Sequence, residues 1–346
     1  MEGKDLRQPA PGVHVDVPRL REGGVGLQVF AAYVPFDTAG EKAFAFANER
    51  LDVIEAFAQS DERLAPVETA AEARSIMAAG KTGVMTAVEN GLAIEAPGTP
   101  TEACRGRGSP LEKLETFRRR KVRIMTLVHY RHLPWVASST DSGPFRSDYA
   151  QPPGTSDRGG QSRGGLSRFG EQVVDAMNDL GLIPDLSHAA ENAFWDVIRR
   201  LKKPVIASHS CAYSLCASAR NLKDDQLKAL GDSGGLVGVN FFSAFLSELF
   251  RQSYERNNNA VTPAVASVHV PMSLIADHID YMVNMAGEDC VALGSDFDGI
   301  PAAPQGVTGS DFYPVLEAEL RARGYTEKRI EKIFNLNFLR VLEEWD

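Results

Sequence analysis

A chain of 346 residues that is 43% hydrophobic and 24% charged can bury a core large enough for one barrel-sized unit or two smaller ones. Its formal net charge of −9 and pI near 5.4 argue against nucleic acid or an anionic membrane as the main partner, since both select basic patches. The one basic run, Arg118-Arg119-Arg120-Lys121, reads as the solvated end of a helix.

Cys104, Cys211, Cys216 and Cys290 show neither C-x-x-C spacing nor the density of a disulfide scaffold, which favours a reducing, cytoplasmic location over secretion with one bridge. Met1 to Gly12 is polar and no run of eighteen apolar residues occurs, so neither a membrane span nor a lipid anchor is expected.

Short apolar runs rich in Val, Ile and Leu alternate with amphipathic stretches, the pattern of buried parallel strands covered by helices. A first strand is expected over Val25–Val34, then a helix over Glu41–Ser60, then strands over Thr82–Glu89 and Val122–His129. The Pro, Gly and Ser-rich stretch 142–165 is too polar for a core element and reads as a long loop over one end. Phe169, Val173, Val174, Met177 and Leu180 form the apolar stripe of a helix that Gly181 ends. Strands follow over Leu182–His188, Pro204–His209, Gly235–Phe242 and Cys290–Phe297, with helical patterns over Glu191–Leu201, Asp224–Leu230, Leu274–Ala286 and Thr326–Glu343. The sum is an α/β chain with seven expected strands and no solenoid repeat.

The informative feature is how these runs finish. Glu89, His129, His188, His209 and Asp296 each close or follow one apolar run, so five of seven strands end in a carboxylate or an imidazole. In a parallel barrel those ends converge on the rim where catalytic groups gather. A lone His or Glu at such a place is ordinarily structural, and the repetition reverses that expectation. Histidines and carboxylates on one rim suit Zn²⁺ with an open position for water, which a bound zinc turns into a nucleophile near neutral pH.

Arg220, in the loop after the His209 strand, reads equally as a clamp for a substrate carboxylate or as a surface salt bridge. His132, His269 and His278 are weaker candidates; His278 and Asp280 spell H-x-D inside a helix, where residues two apart face different ways.

With these residues in place, the chain resembles the membrane dipeptidase (renal dipeptidase, peptidase M19) family over essentially its whole length. The matching blocks are Gly23 to Gln28, Val88-Glu89-Asn90-Gly91, Arg123 to His129, Phe169-Gly170 through Asp185-Leu186-Ser187-His188, Ser208-His209-Ser210, Arg220-Asn221 and Gly294 to Gly299, with Asn337 to Val341 closing the chain. The resemblance implies a (β/α)8 TIM-like barrel of the metal-dependent hydrolase type, a single domain over residues 1–346, acting as a zinc dipeptidase that cleaves dipeptides with a metal-activated hydroxide. It implies Glu89 as a carboxylate bridging two zincs, and His188 and His209 as ligands of the second. His129 would polarise the scissile carbonyl, Arg220 would hold the dipeptide carboxylate, and Asp296 would act as acid and base. Homodimers are also what the resemblance implies.

One departure bears on the metal count. The family opens with a strand carrying H-x-D, both residues of which bind the first zinc, some tens of residues before the Gly-Gly-Val-Gly block. Only about twenty residues precede that block here, and His14-Val15-Asp16, beside Pro18 and Arg19, matches a different, non-ligand segment. Seven strands where a barrel needs eight place the gap at the same point, so a shortened barrel with an incomplete first metal site is expected. Besides an active dipeptidase, the sequence allows an impaired homologue that binds peptide or a protein partner, and a related metal-dependent amidohydrolase.

Overall fold

The structure, a computed structural model, describes residues 4–38, 40–95, 108–141 and 165–346. Cys104 and, apart from Gly165, the polar stretch expected to form a long loop lie outside these residues. The apolar runs form parallel strands: β1 Leu27–Tyr33, β2 Leu64–Pro66, β3 Thr82–Glu89, β4 Ile124–Thr126, β5 Ile183–Asp185, β6 Ile206–Ser210, β7 Leu236–Val239 and β8 Val291–Leu293. Hydrogen bonding follows the order β1-β3-β4-β5-β6-β7-β8, so each expected run supplies one strand of a curled sheet. No pairing joins β1 to β8 among the described residues, and the barrel is open along that line.

The eighth strand, β2, corrects the expected count of seven. It is three residues long and ends in Pro66, which has no N–H to donate, so no alternating pattern announces it. Thr82 N–H donates to Arg63 O and Val67 N–H to Val84 O, on the edge of β3 where Arg123 N–H later meets Thr86 O at the start of β4. The strand lengthens an edge without adding a step to the ring.

Four expected strands, Val122–His129, Leu182–His188, Gly235–Phe242 and Cys290–Phe297, prove shorter at their C-terminal ends. For two of them the reason is local: His188 and Asp296 adopt φ of +68° and +58°, a left-handed conformation that no strand can continue through.

Side chains alternate along the sheet. Val84 and Val88 point outward into a large core shared with the helices, against residues such as Leu51 and Ile54 of one helix and Val173 and Met177 of another. Met85, Ala87, Ile124, Ile183, Ile206 and Leu236 point inward, where Leu339, Leu342 and Trp345 pack against them. Trp345 Nε1 donates to Pro204 O at 2.7 Å, and Arg123 Nη2 donates to Trp345 O at 2.9 Å. The C-terminal segment thus stoppers the N-terminal end of the sheet and leaves the opposite rim free for chemistry.

The outer layer begins with α1 Val17–Glu22, α2 Glu41–Gln59, α3 Ala70–Ala78, α4 Pro110–Arg119, α5 Arg168–Leu180, α6 Glu191–Arg200 and α7 Asp224–Asp232. Helix α5 starts at Ser167, whose side chain accepts from Gly170 N–H, and stops as expected at Gly181 in the left-handed conformation. The basic run ends α4 as expected and Arg119 and Lys121 are exposed, whereas Arg118 bonds Glu68 and Leu180 O, and Arg120 bonds Asp52, Glu55 and Asn48. The helix expected over Thr326–Glu343 is split into Glu327–Glu331, a π-helical turn Lys332–Leu336 and Asn337–Glu343. There Asn337 Nδ2 donates to Glu288 O and Val291 O, anchoring the last helix to β8.

Candidate active site

The strand-end residues meet on the rim. Glu89 is the last residue of β3 and pairs in register with Tyr33, the last of β1. His129 and His188 follow β4 and β5, and Asp296 follows β8, each by three residues. His209 lies within β6, where the register against β7 shifts between Ala207 and Ser210. Such a bulge re-aims a side chain, and here it turns His209 towards Glu89 and His188. The bulge is packed tightly: a Cβ added to Gly238 of β7 or to Gly294, just after β8, would sit 2.0 Å or 1.9 Å from Ser208 O, so both positions need glycine. Positive φ values at Asn90, His188, Asp296 and Asp298 concentrate strained backbone around the same rim.

The Nε2 atoms of His129, His188 and His209 lie 3.6, 3.4 and 3.6 Å from Glu89 Oε1, and the last two are 3.0 Å apart. Burial, reinforced by the charges of Asp296 and Asp185 and opposed by Arg220, pushes the Glu89 carboxyl up to about 8. Burial pushes His129 down to about 3, with Arg220 and His209 adding to the effect, and holds His188 well below its ordinary value. His209 is lowered by burial too, although Asp296 opposes the shift. Three imidazoles held neutral beside one carboxylate offer bare nitrogens to a cation, and a cation would relieve the cost of ionising Glu89.

One donor atom each from Glu89, His188 and His209 lie within 4.8 Å of one another, so these residues fit a divalent cation. The Nδ1 atoms of His129 and His188 are buried without a partner among the described residues. His129 stands at the cluster's edge, its ring 4.1 Å from those of His188 and Tyr130.

Arg220 is not a surface salt bridge. It is 4% exposed, donates from Nη2 to His209 O at 3.0 Å, and leaves Nε buried without a partner. Burial lowers its pKa while Asp296 and other nearby acids oppose that shift, so the guanidinium faces the site's negative side. Asp296 Oδ2 accepts from Asn240 Nδ2 at 3.0 Å.

His14 and Asp16 are committed elsewhere. Asp16 is buried, accepts from Ala10 N–H and Arg19 N–H, and caps α1. His14 stacks on Phe297 and exchanges hydrogen bonds with Asp298. His278 is fully enclosed, its Nδ1 accepting from Ala212 N–H and its Nε2–H donating to Leu246 O, while Asp280 turns to Arg323 and Tyr325.

Sequence reasoning missed Asn240, Asp185 and Ser208. Asn240 directly follows β7 on the same rim, and its neutral amide gave no titratable signal. Asp185 and Ser208 stood inside quoted blocks without a role.

The chain matches the membrane dipeptidase family (peptidase family M19) over residues 1–346. It is 30% identical over 329 residues to dipeptidase 3 of Mus musculus, covering 95% of this chain and 57% of that protein's length. It is 30% identical over 331 residues to dipeptidase tcpJ of Claviceps purpurea, covering 96% and 69% of the two chains. A Rhodobacter sphaeroides metallopeptidase, solved with a phosphinate mimic of the dipeptide L-Ala-D-Ala, superposes with a TM-score of 0.77 at 26% identity, covering all of this chain and 92% of that one. A match across the full chain, joined to a rim of glutamate and histidines, makes this chain a member of the membrane dipeptidase family, peptidase family M19.

Proposed function

We propose that the chain is a zinc-dependent dipeptidase, folded as one barrel domain over residues 1–346, whose described residues hold one zinc through Glu89, His188 and His209. The observation that carries this reading is the convergence of those three donors beside Arg220 and Asp296. A bound zinc supplies Lewis acidity and activates water at neutral pH.

The remaining chemistry belongs to the chain. Arg220 pairs with the free carboxylate of a dipeptide and fixes its position. His129, neutral at working pH, donates a hydrogen bond to the scissile carbonyl oxygen as charge develops there. Asp296, its carboxylate steadied by Asn240, takes a proton from the attacking water and returns it to the leaving nitrogen as the C–N bond breaks. Water and one peptide bond are consumed, and two amino acids leave.

The ligand of the Rhodobacter relative makes L-Ala-D-Ala, beside L-Ala-L-Ala, the first substrate to assay. Turnover by the zinc-loaded chain that disappears in Asp296→Asn supports the proposal. Binding of either dipeptide with no turnover above that variant supports the impaired, peptide-binding reading instead.

A further inference from the structure

Asp185, at the end of β5, is 1% exposed and accepts four hydrogen bonds. Its Oδ1 takes Ser187 N–H at 3.0 Å and Ser208 N–H at 2.8 Å, and its Oδ2 takes Thr126 Oγ1–H and Ser208 Oγ–H, both at 2.6 Å. A serine hydroxyl has one proton, and the carboxylate is a stronger acceptor than an imidazole nitrogen. That proton therefore points at Asp185. Ser208 Oγ also stands 2.8 Å from His209 Nδ1, and having spent its proton it can only accept there. Nδ1 must carry the hydrogen, which leaves Nε2 bare and turned towards Glu89 and His188.

We infer that Asp185, acting through Ser208, is a positioning residue that locks His209 in the Nδ1–H tautomer so that Nε2 is presented ready for a cation. The carboxylate reaches the imidazole through an intervening hydroxyl, and partners of this kind set ligand orientation and basicity. His188 has no equivalent, since its Nδ1 is buried without a partner among the described residues. The tautomer claim stands on hydrogen bonding alone, whereas its use in holding metal rests on the zinc reading above.

The polarity of the relay can be reversed. Two backbone N–H groups converge on Oδ1, so in Asp185→Asn the carbonyl oxygen must stay there and the amide nitrogen must take the Oδ2 position. That nitrogen donates to Ser208 Oγ, whose proton then turns to His209 Nδ1, and the hydrogen of His209 moves to Nε2.

The experiment is long-range ¹⁵N imidazole spectroscopy of the metal-free chain, with His209 assigned by substitution. His278 serves as an internal standard for the Nε2–H form, because its Nδ1 accepts from Ala212 N–H. The expected result is Nδ1–H for His209 in the wild type, Nε2–H in Asp185→Asn, loss of the single tautomer in Ser208→Ala, and its retention in Ser208→Thr. Zinc affinity should fall about 10–100-fold in Asp185→Asn. An Nε2–H tautomer in the wild type overturns the inference, as does an unchanged His209 in folded Asp185→Asn. If that variant fails to fold, an unchanged His209 in Ser208→Ala does the same. Failure of the wild type to bind zinc would strike the metal reading and leave the tautomer result standing.

Discussion

At Arg220 a buried guanidinium with an unpartnered Nε stands ready for an anion that the chain itself does not supply. A charge-assisted hydrogen bond contributes about 1.5–3 kcal/mol, so Arg220→Ala should raise KM for free dipeptides roughly 10- to 150-fold. Dipeptide amides, lacking the carboxylate, should be affected much less; equal loss for both removes Arg220 from substrate binding. Glu89 carries a pH signature of its own. Folded, it titrates near 8 instead of 4.5, so its contribution to metal-free stability is full below 4.5 and is lost as pH rises through 8. The imidazoles act oppositely: depressed below 6.5, they contribute stability above that value which is lost on acidification. Metal uptake near pH 7 should accordingly release about one proton from Glu89 in addition to any from zinc-bound water, and that Glu89 share should vanish above roughly pH 9. A pH-stat titration of wild type and Glu89→Gln checks this, and equal release by both contradicts it. At this scale the acids and imidazoles were legible because their side chains announce themselves at strand ends. Asn240, Ser208 and the burial of Arg220 were not, because each depends on neighbours that only folding supplies.

Among elements, β6 shows how backbone shape makes a site. Its bulge has room because Gly238 of β7 and Gly294, just after β8, carry no Cβ to meet Ser208 O. Gly294→Ala puts a methyl against that carbonyl, and overpacking of this kind costs about 1–3 kcal/mol. The variant should lower the melting temperature and lose metal affinity together, as read by thermal unfolding with and without zinc. Wild-type affinity in a destabilised variant would show that the bulge does not aim His209. Long apolar runs were readable as strands, and the stripe ending at Gly181 as a helix. Strand β2 was not, because three residues ending in proline carry no period. Two of the overlong strand expectations have a related cause: His188 and Asp296 continue a run in sequence while turning left-handed in space.

For the whole molecule, the curled sheet is stoppered at one end by Trp345 and its neighbours and presents its cluster at the other. The order of strands around the ring was legible because each apolar run feeds one parallel strand, and the count of seven runs placed the gap before the first of them, where β1 and β8 are unpaired among the described residues. No helix among the described residues is long and apolar enough to cross a membrane. On the proposed function, Glu89, His188 and His209 hold one zinc on this rim. Zinc stoichiometry, measured after equilibration with limiting chelator, tests it most directly. One tightly held zinc per chain is expected in the wild type, and none in a His188→Ala/His209→Ala variant that still folds. Two zincs per chain, no zinc in the wild type, or undiminished zinc in the double variant would contradict it.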